Sequence, residues 1–256
     1  MKMRIVSGVI GALLLFVVVL TGGIVLNIGV LIISLIAIYE FSNALKNINN
    51  LKPLSIINYL LAISFFTITL IDNFQLTQPI FLLYCIALFM ILVLDLNYSL
   101  LDISVTLFQG LYIVVFLFHI SLLNGTQIIW LIFIIAIATD TSAYFIGIKF
   151  GKTKLYPRLS PNKTIEGSIG GIIGSLLATM VFVWINDITY VIEIALLSVV
   201  CSIMSQIGDL AASRIKRIAG IKDFGNIIPG HGGMLDRFDS ILFTAPIVYY
   251  YMYLFL

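Results

Sequence analysis

Asp236 and Asp239 stand three residues apart in the stretch Pro229-Gly230-His231-Gly232-Gly233-Met234-Leu235-Asp236-Arg237-Phe238-Asp239-Ser240. On a helix that spacing sets both carboxylates on one face, where they can share a cation. Asp209 closes an apolar run at Gly208-Asp209-Leu210, and an antiparallel neighbour would bring it near that pair. Hard oxygen ligands of this kind suit Mg²⁺ bound together with substrate phosphates. A carboxylate at a helix start also caps free N–H groups, and for Asp236 alone that explanation serves as well. A second acid one turn on, Arg237 between them and a glycine-rich approach go beyond capping. Gly230, Gly232 and Gly233 let the backbone come near a ligand, and the N–H groups at the helix start form an anion site.

Cations interleave with these acids: Ser213-Arg214-Ile215-Lys216-Arg217, then Lys222-Asp223, then Arg237. Part of this set serves only orientation in a membrane or contact with anionic headgroups. Phosphates bridged by metal account for both signs at once. A second polar stretch holds Asp140-Thr141-Ser142-Ala143-Tyr144 and Ser160-Pro161-Asn162-Lys163-Thr164-Ile165-Glu166-Gly167. Asp140 falls inside an apolar run, where an ionisable group is costly and points to function, a hydrogen-bonded structural acid being the alternative. Ser160, Lys163 and Thr164 fit a phosphate-contacting turn, and Glu166 a cap or an orienting group. His231 is read as a hydrogen-bond donor or a shaper of the turn rather than a base. A phosphate monoester, with its second pKa near about 6, is already a nucleophile at neutral pH.

The elements that must carry these residues are set by composition. Of 256 residues, 61% are hydrophobic and 10% charged, which excludes an ordinary soluble domain. A helix needs roughly 20 apolar residues to cross about 30 Å of hydrocarbon. Such runs fill the chain at Ile5 to Leu20, Ile24 to Phe41, Leu54 to Ile71, Ile80 to Leu96, Val105 to Leu123, Ile128 to Ile148, Ser168 to Ile185, Ile188 to Ile207 and Ile241 to Leu256. The expected fold is all-α, a polytopic integral membrane protein of about nine transmembrane helices. The first run lacks a small-residue cleavage site and is read as a membrane helix rather than a leader. The chain is read as one membrane domain, with helices one to five over about 5–123 and the site-bearing half over about 128–256. Its informative loops run over 149–167 and 208–240.

All 14 basic residues fall on one side of this arrangement, two before the first helix, two after the second, five after the sixth and five after the eighth, and the loop after the fourth, on the same side, has none. The positive-inside rule makes that side the cytoplasm. Cys85 and Cys201 lie in apolar runs without ligand spacing and read as small hydrophobes. Glu40, Asp72, Asp95, Asp102, Asp187 and Glu193 lie near helix ends and call for no role beyond capping or snorkelling. No nucleic-acid partner is expected.

The run Ser213-x-x-Lys216-Arg217, Lys222-Asp223, Pro229-Gly230-His231-Gly232-Gly233, Asp236-Arg237-x-Asp239 resembles, without a gap, the signature of the phosphatidate cytidylyltransferases, or CDP-diacylglycerol synthases. Gln206-x-Gly208-Asp209-Leu210, Asp140-Thr141-x-Ala143-Tyr144 and Lys163-Thr164-x-Glu166-Gly167 are similar to that family's other polar stretches. Asn162 stands where the family often carries a Lys. The resemblance covers about the second half of the chain. It implies transfer of a cytidylyl group from CTP to phosphatidate at a bacterial plasma membrane, with Mg²⁺ dependence and a homodimer among membrane lipids. It also implies a paired metal centre on acids such as Asp209, Asp236 and Asp239. Two other classes stay open on the residues alone. One is a transporter of an anionic solute with Asp140 as a relay, although no counterpart of the polar motifs exists in the first half. The other is an enzyme acting on a lipid alcohol, which would need a general base.

Overall fold

The computed structural model describes residues 2–46, 48, 51–228, 230 and 232–255, the side chains of 2–6 excepted. Lipid offers a backbone no hydrogen-bond partner, so the apolar runs close their own bonds as helices. These are α1 (Lys2–Thr21), α2 (Gly23–Leu45), α3 (Ser55–Ile71), α4 (Thr77–Leu94), α5 (Leu100–Gln109), α6 (Phe116–Leu122), α7 (Ile129–Phe150), α8 (Ile165–Ile185), α9 (Val191–Ile218) and α10 (Leu235–Phe255). A π turn, Gly110–Val115, joins α5 to α6 as one rod. Six helical segments among the described residues are long and apolar enough to cross a bilayer: Gly23–Leu45, Phe74–Leu94, Leu100–Leu122, Ile129–Phe150, Ile165–Ile185 and Val191–Ile218. Ser7–Thr21 and Ser55–Ile71 are shorter apolar helices. The chain is thus a helical, polytopic membrane protein.

Two compact units divide it. The first comprises Met1–Gly125 and Ile218–Arg237, the second Thr126–Arg217 and Phe238–Leu256. In the first, Ile38, Phe41, Leu61, Phe65, Ile113 and Leu117 are buried among α2, α3 and the α5–α6 rod. A polar knot sits in the same core. Asn58 Nδ2 donates to Thr106 O (3.1 Å) and Gln109 Oε1 (2.8 Å), Tyr84 Oη donates to Asn58 Oδ1 (2.7 Å), and Gln109 Nε2 donates to Ile38 O (2.8 Å). Each of these buried groups finds a partner, which is what their removal from water demands.

In the second unit α7 and α8 approach closely because one surface of α8 has no side chains. A Cβ at Gly171 would lie 3.0 Å from Thr139 O, and one at Gly174 would run into Ser142. Small residues allow such backbone approach where no hydrophobic force drives helices together. Hydroxyls add glue: Thr139 Oγ1 donates to Ser202 Oγ (2.8 Å), and Thr179 and Ser198 share a bond of 3.1 Å.

The polar stretches differ from the loops expected of them. Within 149–167 the chain forms an antiparallel hairpin, β1 (Lys154–Tyr156) and β2 (Ser160–Thr164). Glu166 anchors it by accepting from the N–H groups of Lys152 and Thr153, both 3.1 Å away. Within 208–240, α9 continues to Ile218 and α10 begins at Leu235, so Asp209, Ser213, Lys216 and Arg217 stand on a helix. Polarity ended the apolar run there without ending the helix, since the backbone of α9 closes its own bonds in water or lipid alike.

Thr164 caps α8, its Oγ1 accepting from Gly167 N at 3.1 Å. Thr164→Val removes that acceptor and is expected to cost about 1 kcal/mol, read as a lowered unfolding temperature in detergent.

Candidate functional site

In the second unit, residues from four elements meet. Asp209, Ser213 and Lys216 recur along one face of α9 at the helical period. Lys163, carried by β2, forms an ion pair with Asp209 Oδ2. Ser213 Oγ lies 3.5 Å from Asp209 Oδ1. From α10, Ser240 N donates to Asp239 Oδ1 (2.8 Å), while Ser240 Oγ donates to Asp140 Oδ2 on α7 (3.2 Å). Asp239 is buried ahead of the apolar part of α10. Burial foremost, then the Asp209 charge, pushes its carboxyl above the usual carboxylate range; Lys216 opposes that and Asp140 adds to it. The approach of α10 to α9 rests on Gly208, where a Cβ would meet Asp239 O and lie 2.8 Å from the Phe243 ring.

Three carboxylates within electrostatic reach of one another, offset by two ammonium groups, form a centre short of positive charge. Among the described residues no three Asp, Glu, His or Cys side chains are grouped so as to hold a metal ion unaided. That donor set fits Mg²⁺, which takes one or two carboxylates and completes its shell with water and substrate phosphate oxygens.

The first unit holds the glycine-rich turn. Asp236 Oδ2 accepts from Phe224 N (2.8 Å) and Gly233 N (2.9 Å), tying both ends of the turn together. Gly232 has φ +87°, and a Cβ there would lie 3.0 Å from Asp236 Oδ2 and 3.2 Å from the Asp223 Cβ. Both the conformation and the space therefore call for glycine. Glu40, on α2, accepts from Met234 N and Leu235 N, each at 2.9 Å. The first N–H groups of α10, nominated above as an anion site, are thus already engaged by a carboxylate.

Ser160 opens β2 half-buried; Arg217, Lys222, Asp223, Gly230 and Arg237 are exposed, and His231 lies outside the described residues. Thr164 is buried and spends its hydroxyl on the α8 cap. Two residues escaped the sequence reading. Ser240 adjoins Asp239, and a serine at the start of a helix carries no sequence signal that sets its hydroxyl apart from a capping or solvent-facing one. Glu40 was assigned to capping or snorkelling, yet it is only 2% exposed and grips a segment nearly 200 positions away.

A helical membrane protein that gathers acids and lysines at the polar ends of its helices has the equipment of an enzyme handling phosphate esters. A model of the cytidylyltransferase family matches residues 2–255. Curated relatives named phosphatidate cytidylyltransferase are 35% identical in Staphylococcus haemolyticus, 38% in Staphylococcus epidermidis and 34% in Staphylococcus aureus, each match covering 97% of both chains. This chain belongs to the cytidylyltransferase family.

Proposed function

We propose that the chain is a phosphatidate cytidylyltransferase: it transfers CMP from CTP to phosphatidate, giving CDP-diacylglycerol and pyrophosphate. The observation that carries this reading is the centre of Asp140, Lys163, Asp209, Lys216 and Asp239, which sets acids against ammonium groups as a site for phosphates and a cation would need. A phosphate oxygen of phosphatidate attacks the α-phosphorus of CTP; the bond from that phosphorus to the bridging oxygen breaks, and pyrophosphate leaves. The nucleophile is already ionised, so the protein's task is positioning and neutralisation of charge rather than proton removal.

The proposed ligands of Mg²⁺ are Asp209 and Asp239, and Asp236, one helical turn earlier on α10, is proposed for a second cation. When bound, such an ion offsets the charge gathered on the phosphate oxygens. Lys163 and Lys216 would meet phosphate oxygens from the protein side, and Arg217, Lys222 and Arg237 would hold the polar ends of the two substrates. Ser240 would keep Asp140 and Asp239 oriented. The full arrangement we propose has nine spans, with the hairpin and the polar turn in the cytoplasm of a bacterial plasma membrane, since all 14 basic residues fall on that side. Membrane lipids and a second copy of the chain are the proposed partners.

The choice of acceptor tests the reading. Phosphatidate should be converted and diacylglycerol left untouched, because the phosphate of phosphatidate is already ionised whereas a lipid alcohol must first lose a proton. Equal conversion of diacylglycerol would replace the proposed reaction with transfer to an alcohol.

A further inference from the structure

We propose that Glu40 is a positioning residue for the reaction, a carboxylate on α2 that holds the glycine-rich turn and the start of α10 in register for Asp236. The proposal rests on the cytidylyl-transfer reading for its consequence and on geometry alone for its cause. Both Glu40 oxygens accept from the backbone, one from Met234 N and one from Leu235 N, at 2.9 Å each. The turn is shaped to admit that carboxylate: a Cβ on Gly233 would lie 2.6 Å from either oxygen, and one on Gly225 would collide with Glu40 Oε1. Beside it, the Phe224 ring stacks on Phe41, one residue after Glu40, with centroids 6.1 Å apart and planes 22° from parallel.

Side chains that serve only as packing do not leave a carboxylate at 2% exposure, because an acid away from water needs donors aimed at it. Here the donors are the first N–H groups of the helix that carries Asp236 and Asp239. Two carboxylates therefore divide the turn between them. Asp236 ties its two ends to each other, and Glu40 ties the whole to α2. Since Asp236 Oδ2 is directed by Phe224 N and Gly233 N, a turn that slips from Glu40 carries the Asp236 carboxylate with it.

Glu40→Gln keeps the shape but aims an NH₂ group at one of the two N–H donors. Glu40→Asp keeps the charge and shortens the reach. The full-length protein in detergent is examined by hydrogen–deuterium exchange over 224–236, and by Mn²⁺ affinity in the presence of CTP without acceptor, read by electron spin resonance. For Glu40→Gln, the Met234 and Leu235 amides should exchange about tenfold faster or more, as expected when a charged hydrogen bond is lost. Mn²⁺ affinity should fall several-fold, and Glu40→Asp should recover part of both. A residue that merely supports the fold would lower the folded fraction and leave the Mn²⁺ affinity of the folded protein where it was. Parent-like exchange at 224–236, or faster exchange with unchanged Mn²⁺ affinity, overturns the proposal. Should the parent protein fail to transfer cytidylyl, the reaction reading falls by itself, and exchange and Mn²⁺ binding still decide what Glu40 does.

Discussion

Replacing Asp209 with asparagine is expected to lower kcat/KM for cytidylyl transfer about a thousandfold, a loss on the scale of removing a central charge-stabilising group. The protein should still insert and unfold near the parent temperature. Asp209 is about a quarter exposed, paired with Lys163 and followed one turn later by Ser213, so its replacement leaves no cavity. What changes is the charge facing Asp239. With Asp209 neutral, the pressure that raises the Asp239 carboxyl is eased, and the centre loses the second hard oxygen that a divalent ion needs. Steady-state rates with CTP and phosphatidate, set beside a thermal unfolding curve, separate the two effects. A variant that turns over at the parent rate removes Asp209 from the site.

Lys163→Met should reduce kcat/KM about a hundredfold, the lower end of the range for one charge contact made to the reacting phosphates. Stability gives little warning of that loss. The pair with Asp209 is partly open to water, and exposed pairs of this kind contribute at most about 1 kcal/mol. Methionine keeps the unbranched apolar stem of lysine and is only one atom shorter, so the hairpin should persist. Activity falling together with the unfolding temperature by many degrees would instead make Lys163 a structural residue of the hairpin.

How far the sequence could be read differs between the helices and the site. In lipid an apolar run has one stable backbone form, so the described helices lie where the runs lie. Among the described residues six segments meet the length and hydropathy needed for crossing; α1 is fully described only over Ser7–Thr21, α3 has 17 residues, and α10 begins with a polar turn. The hairpin of β1 and β2 was hidden because strands of three and five residues with mixed exposure show no alternation to detect. The extension of α9 through Lys216 and Arg217 was hidden because hydropathy marks where a helix leaves lipid, not where it stops.

At the site, the acids and lysines were legible as types. Asp140, Lys163, Asp209 and Asp239 stand in polar runs where composition alone makes them conspicuous. Their local partners were not legible. Thr164 spends its hydroxyl on Gly167 N, and the α10 start spends its N–H groups on Glu40. Glu40 shows why: an acid near a helix end carries the same local signature whether it faces water or grips a distant turn, and only the tertiary fold distinguishes them.

The most direct measurement follows the two ends of CTP. Purified protein in detergent, given phosphatidate and Mg²⁺, is offered CTP labelled at the α-phosphorus and, separately, at the γ-phosphorus, and the lipid is then extracted. The account predicts that the α label passes into the organic phase and the γ label into pyrophosphate. An α label that stays in water, or a γ label that follows the lipid, would contradict it.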